Sequence, residues 1–185
     1  MSAGAPGRPS SPRPPRPMDT GERTVPAEWI DYNGHMNDGY YGLAFTEATE
    51  AFLDQIGLGA GYRERAGCGM FTVESHVCFF RSVRAGTRLR YSTQLLGADA
   101  KRLHAFHRMT DAETGDEMAA NELMFLHVDI ATEQVTPMPQ PRRSAVEALA
   151  AQHAALPAPP TAGRRIAMPT RGGSTPASPP EPAPG

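Results

Sequence analysis

Asp31, Gly34, His35 and Asn37 fall within one short stretch, Asp31-Tyr32-Asn33-Gly34-His35-Met36-Asn37, immediately ahead of a long amphipathic segment. Glycine permits a tight turn, and Asn37 or Asp38 can cap the helix that follows. The stretch therefore sets a carboxylate beside the unpaired backbone N–H groups and the positive end of a helix dipole. Those parts suit attack on an acyl carbonyl. Asp31 can add to the carbonyl carbon or deprotonate a water that does so, while amides near Asp38, Gly39 and Tyr40 stabilise the negative charge that grows on the oxygen. Asp31 can equally serve as a turn residue bonded to its own backbone. For His35, proton transfer competes with shaping of the loop, and for Asn37, substrate contact competes with capping.

The elements that must position these groups are legible around them. A short extended piece is expected near Glu22 to Val25, stopped by Pro26. From Asp38 to Ile56 the residues Tyr41, Ala44, Phe45, Ala48, Phe52 and Ile56 recur at spacings of three and four, which predicts a helix of about five turns ended by Gly57. A Gly-rich connection from Gly57 to Gly69 follows. The texture then changes to period two with branched and aromatic residues. Strands are predicted at Met70 to Arg81, Thr87 to Leu96, Arg102 to Asp111 and Glu117 to Asp129, with linkers short enough for each strand to pair antiparallel with the next. Ser144 to Ala155 reads as a second helix. One short strand, one long helix and a four-stranded meander give an α+β domain: a curved five-stranded antiparallel sheet wrapped around one long helix.

Composition narrows the classes of function. The chain has 185 residues, 19 of them Pro and 18 Gly, and a net charge of −2. Residues 1–20 and 157–185 are rich in Pro, Ala, Gly and Ser and are expected to be largely disordered, flanking one domain at 21–156. Removal of residues 1–20 is expected to leave stability unchanged. Arg8, Arg13 and Arg16 read as a solvated tail, and the charge balance gives no footprint for nucleic acid. No apolar run long enough for a signal peptide or a membrane span occurs. Cys68 and Cys78 lie in no metal or redox spacing, which suits a reducing cytoplasm. His104 and His107 point to opposite faces of one strand by parity and His127 stands alone, so no metal or other cofactor is expected.

The run D-Y-N-G-H-M-N-D-G-Y-Y at residues 31–41 resembles the D-x-x-G-H-[VM]-N-N-x-x-Y signature of the 4-hydroxybenzoyl-CoA thioesterase family of hotdog proteins. The resemblance implies a hotdog fold that dimerises edge to edge, with Asp31 as the catalytic acid and Gly34, His35, Asn37 and Tyr41 at the turn and helix start. Asp38 stands where the signature has its second Asn. A wider likeness runs through EWIDYNGHMND, VESHV, FFRSVRAGTRL, QLLGADAKRLHAFHRM and AANELMFLHVD to GRRIAMP at 163–169, where Ile166 could dock on the body. These segments are similar to the betainyl-CoA thioesterases and to the thioesterase domains appended to some L-carnitine dehydrogenases. That implies hydrolysis of a short acyl-CoA, betainyl-CoA to glycine betaine and CoA, by a homodimer or tetramer.

The residues are compatible with such a substrate. A trimethylammonium group is held by aromatic faces and carboxylates, and Trp29, Tyr32, Tyr40, Tyr41, Phe45, Phe71, Phe79 and Phe80 are available, with Glu47, Glu50 and Glu74. Because a helix acid is catalytic in another branch of hotdog thioesterases, Glu47 is a reserve candidate. Glu74 and His76 are candidates for lining the substrate pocket. Among Arg81, Arg84, Arg88, Arg90, Lys101 and Arg102, the expected partners of the CoA phosphates are Arg84, Arg88 and Arg102. Two other readings remain open. A hotdog hydratase uses a D-x-N-P-x-H type motif, from which this stretch departs by lacking the Pro and one residue. A non-catalytic acyl-CoA-binding module is the other.

Overall fold

Apolar periodicity decides the central element. In the computed structural model, which describes residues 14–168, α1 (Asp38–Gln55) buries Tyr41, Ala44, Phe45, Ala48 and Phe52 along one stripe. Asn37 caps its start by accepting the Gly39 N–H at 3.0 Å. Gly57, with φ +74°, turns the chain away at the other end in a left-handed conformation that glycine adopts without cost.

The strands are β1 (Met18–Thr24), β2 (Cys68–Phe79), β3 (Arg88–Ala98), β4 (Arg102–Asp111), β5 (Glu117–Asp129) and the two-residue β6 (Gln134–Val135). They form one antiparallel sheet in the order β1-β3-β4-β5-β2, with β6 added to β5. The sheet curls as a half-barrel around α1, the helix-in-sheet arrangement of the hotdog fold. The helix and the sheet's inner face close over two apolar clusters. One holds Tyr41, Phe45, Tyr91 and Met109, and the other Phe52, Leu95, Leu103 and Phe125.

Between the clusters sits His107, fully buried beside Phe45 and Phe52. Its two ring nitrogens lie 3.0 Å from Thr49 Oγ1 and 2.7 Å from Thr93 Oγ1. Burial drives its pKa down to about 3, so the ring is neutral and both nitrogens are satisfied.

Several expectations need correction. The strands do not form a four-stranded meander: β2 pairs with β5, and β3 with β1 and β4. Short linkers bias neighbours to pair, but the linker after β2 has other partners. Met36 N–H bonds Val83 O at 2.8 Å and Gly86 N–H bonds Val25 O at 2.8 Å. The chain is thereby carried past the start of α1 to the opposite side of the sheet. The connection Gly57–Gly69 contains a further helix, α2 (Ala60–Ala66), which buries Tyr62, whose hydroxyl lies 2.8 Å from His127 Nε2. The second expected helix appears as α3 (Arg142–His153).

β1 begins at Met18, earlier than composition suggested, because Thr20 is buried and meets Thr93 Oγ1 at 3.1 Å. At the far end, Gly163 N–H bonds Glu122 Oε2 at 2.7 Å, while Ile166 is 94% exposed rather than docked. The expectations for residues 1–13 and 169–185 lie outside the described residues. Among the described residues, no helix is long and apolar enough to cross a membrane.

Candidate active site

The loop bearing Asp31 is built by backbone hydrogen bonds that bracket it at both ends. Ile30 and Met36 form an antiparallel bridge. Within it, Asp31 N–H bonds His35 O at 2.9 Å and Gly34 N–H bonds Asp31 O at 3.0 Å. Gly34 has φ +77°, and a Cβ built on it would meet no atom within 4 Å. The turn therefore demands glycine for its backbone conformation and not for space. Asn37 N–H bonds Trp29 O at 2.9 Å, tying the start of α1 to the one-turn 3-10 helix Ala27–Trp29.

A cavity of about 500 Å³ opens at this junction, lined by Asp31, His35, Met36, Asn37, Asp38 and Tyr41 on one side and by Phe79, Phe80, Arg81 and Ser82 on the other. Asp31 is half-buried. Its Oδ1 accepts the Asn33 N–H at 2.8 Å, and its Oδ2 has only the Asn33 side-chain amide at 3.4 Å. The carboxylate is thus anchored through one oxygen and open at the other. Of the three amides expected to serve as donors, two are engaged. Gly39 N–H bonds Asn37 Oδ1 at 3.0 Å and Asp38 Oδ1 at 2.9 Å, and Tyr40 N–H bonds Asn37 O at 3.0 Å. The Asp38 N–H, first of the helix, makes no hydrogen bond to a described residue. Burial pushes the Tyr41 phenol up in pKa, partly offset by a hydrogen bond from the Val83 backbone, so it stays protonated.

The structure gathers Asp31, His35, Asn37, Asp38, Tyr41, Phe79, Phe80 and Arg81 around this cavity, whereas Tyr40, Glu47, Arg84, Arg88 and Arg102 do not line it. Tyr40 stacks on Trp29, with centroids 5.1 Å apart. Glu47 is held by Arg23, whose Nε and Nη2 both donate to its carboxylate, the former at 2.6 Å. That ion pair lies on the β1 side of the helix, where Arg23 also covers the Trp29 ring. The likeness to thioesterases with a helix acid makes Glu47 a candidate, and its partner on β1, 24 positions away, is invisible to a local reading.

Arg102 is bound to Asp99 at 2.6 Å and lines a separate small cavity. Arg88 opens β3, opposite Thr24. Arg84 is exposed on the loop after Ser82. Glu74 and His76 face a different cavity with His104 and Glu122, whose ring and carboxylate meet at 2.6 Å. His104 and His107 do take opposite faces of β4. Among the described residues there is no group of three or more His, Cys, Asp or Glu placed to hold a metal.

Met36 and Ser82 line the cavity without having been singled out. Arg81, grouped only with the other basic residues, belongs with them. Their neighbourhood depends on the bond from Met36 to Val83 across 47 positions of sequence, and no local pattern announces it.

The profile of the thioesterase-like superfamily matches residues 25–152. The chain is 41% identical over 152 residues to the betainyl-CoA thioesterase of Pseudomonas aeruginosa, covering 82% of this chain and 96% of that one. It is 38% identical over 150 residues to the L-carnitine dehydrogenase/betainyl-CoA thioesterase of Rhizobium meliloti, covering 81% of this chain and 30% of that longer protein. A Staphylococcus aureus protein whose structure was solved in complex with CoA superimposes with a TM-score of 0.78 at 25% identity, covering 86% of this chain and 100% of that one.

Proposed function

We propose, from the premise that this chain belongs to the thioesterase-like superfamily, that it hydrolyses betainyl-CoA to glycine betaine and free CoA, with Asp31 as the reacting carboxylate. The enzyme is an acyl-CoA thioesterase. The observation that carries the assignment to Asp31 is the junction of a half-free carboxylate and an unengaged helix-start amide on one cavity. The substrate reading is supported by the similarity to the Pseudomonas aeruginosa enzyme along nearly its whole length.

In this reading the thioester carbonyl lies between Asp31 and the Asp38 N–H. As Asp31 Oδ2 adds to the carbonyl carbon, or takes a proton from a water that adds, the carbonyl oxygen gains charge against the Asp38 amide and the helix dipole. Collapse breaks the C–S bond and CoA leaves as thiolate. In the first route a mixed anhydride remains for water to hydrolyse; in the second the free acid forms directly. The Asn37 side chain, by capping Gly39, fixes the amide geometry. His35 sits at the turn and shapes the wall.

The CoA phosphates need cations at the cavity mouth. Arg81 lines the cavity, 3.5 Å from Asp116, and Arg84 follows it on the same exposed loop. Arg84 is thus kept from the expected set, and Arg81 is preferred to Arg88 and Arg102 as the second phosphate partner. The molecule is proposed to act as a homodimer through β2, the outer strand with the more exposed apolar side chains, and in the cytoplasm, where two free thiols suit a reducing setting.

Asp31→Asn tests the assignment. It preserves size but removes charge and the basic lone pair, so thiol release from betainyl-CoA should fall at least about a hundredfold. Binding of a non-hydrolysable thioether analogue, measured by titration, should persist. Glu47→Gln should instead loosen the Arg23 pair, lowering stability while turnover stays within a few fold. Near-normal turnover in Asp31→Asn, or collapse of turnover in a folded Glu47→Gln, would remove Asp31 from the role.

A further inference from the structure

In betainyl-CoA the quaternary nitrogen is one methylene away from the thioester carbonyl. If that carbonyl is placed for reaction at Asp31, the cation has no freedom to bind in a remote site, and its partners must line the same cavity. A trimethylammonium group has no N–H to donate, so hydrogen-bond acceptors cannot select it by direction. It is held by the negative faces of aromatic rings and by the field of a carboxylate.

The cavity supplies both kinds of group beyond the reacting acid. Asp38 is its second carboxylate, on the first residue of α1. One of its oxygens, Oδ1, accepts the Gly39 N–H at 2.9 Å, which fixes the side chain, and Oδ2 is left free of the described residues. Aromatic rings line it as well. Phe79 ends β2 and Phe80 follows it, and Phe79 meets Tyr41 edge to face with centroids 4.9 Å apart and ring planes at 81°. Phe79 remains 53% exposed, so it has ring surface to offer. Among the described lining residues only Arg81 has a fixed positive charge, and Asp116 lies 3.5 Å from its guanidinium. A carboxylate and aromatic rings lining one cavity, on two elements brought together only by the fold, fit a small, fully alkylated cation.

We infer that Asp38 and Phe79 form the subsite for the quaternary ammonium of the acyl group and set the preference for a cationic over a neutral acyl chain, an inference that rests on the betainyl-CoA reading above. The Asp38 side chain then acts on substrate choice, and Asp31 with the Asp38 backbone N–H on the chemistry. The same position also serves the helix, since a carboxylate in the first turn complements the dipole, so a loss of activity alone would not separate the two roles.

A pair of isosteric substrates does. In 3,3-dimethylbutyryl-CoA a neutral carbon replaces the quaternary nitrogen, with the same three methyl groups and the same methylene before the carbonyl. The experiment measures kcat/KM for both thioesters in the full-length wild type, in Asp38→Asn and in Phe79→Leu. The wild type should favour betainyl-CoA, and Asp38→Asn should lower the ratio of betainyl to neutral kcat/KM at least tenfold. Phe79→Leu should lower it by a smaller factor. Equal losses on both substrates in Asp38→Asn, or an unchanged ratio, would overturn the subsite and leave Asp38 a helix-start residue. A wild type that hydrolyses the neutral thioester but not betainyl-CoA would overturn the substrate reading itself and the subsite with it. A thermal melt of each variant establishes that it is folded, so equal losses on both substrates report on the site and not on misfolding.

Discussion

Two histidines and two carboxylates show how burial and partners divide labour at the scale of single residues. Asp31 and Asp38 are left with a free or weakly held oxygen toward the cavity, and a group with unsatisfied capacity is available for chemistry. His107 is the opposite case. Both nitrogens are occupied by threonine hydroxyls, and burial lowers its pKa from 6.5 to about 3. Because the folded pKa is depressed, the unfolded chain binds the proton more readily. Its contribution to stability is whole above pH 6.5 and is lost as pH falls from there toward 3. The slope from this one group approaches about 1.4 kcal/mol per pH unit. His153, also lowered by burial, acts in the same direction. Urea denaturation at pH 7.5 and pH 5 should therefore show a loss of about 2 kcal/mol. An NMR titration of the imidazoles should find His107 neutral throughout that range. A protonated His107 at pH 5 in the folded protein would contradict its burial.

At the scale of elements, β1 carries more than its composition suggests. It is an outer strand of the sheet, paired among the described residues only with β3, and its first residues are engaged: Thr20 meets Thr93, and Asp19 O accepts a hydrogen bond from the Gln55 side chain at 2.8 Å. Thr93 in turn holds His107, so the strand's start is linked to the buried polar chain under α1. Deleting residues 1–20 removes Met18, Asp19 and Thr20 and leaves Thr93 short of a partner. The expected result is a melting temperature lower by several degrees, read by calorimetry, in contrast to the neutral outcome that composition alone suggests. An unchanged melting temperature would show that the strand's first residues add nothing.

For the whole molecule, the decisive surface is β2. It pairs on one side with β5 and, among the described residues, has no strand on the other, and Phe71 and Val73 on it are 43% and 54% exposed. An outer strand of 12 residues with exposed apolar side chains invites pairing with another strand. A second copy can supply it by a two-fold axis across the edge, joining two sheets into one. Sedimentation at micromolar concentration should give a dimer or a multiple of it. Val73→Asp, which places like charges near each other across that axis, should shift the equilibrium toward monomer. A wild-type monomer under those conditions would rule out the edge-to-edge assembly. The aromatic wall of the cavity ends the same strand, so monomerisation should also lower turnover.

Local interactions decided what could be read from the chain alone. The stripe of α1, its cap and its glycine stop depend on contacts within a few residues, as does the turn around Gly34, and all were legible. So were the bounds of β4 and β5, where period two persists between clear turns. The motif at 31–41 placed the acid, the capping residue and the helix start together for the same reason. The order of strands was decided by distant partners. β2 lies beside β5 because the linker after it is bound to Met36 and Val25, and a length rule for linkers cannot register such partners. Those bonds also set Phe79, Arg81 and Ser82 against Asp31. Glu47 is bound by Arg23 of β1 and Arg102 by Asp99, and neither lines the cavity that holds Asp31. Sequence determined which groups could react, through their own chemistry and their immediate neighbours. Tertiary structure decided which of them share a cavity, because that depends on contacts between residues far apart in the chain.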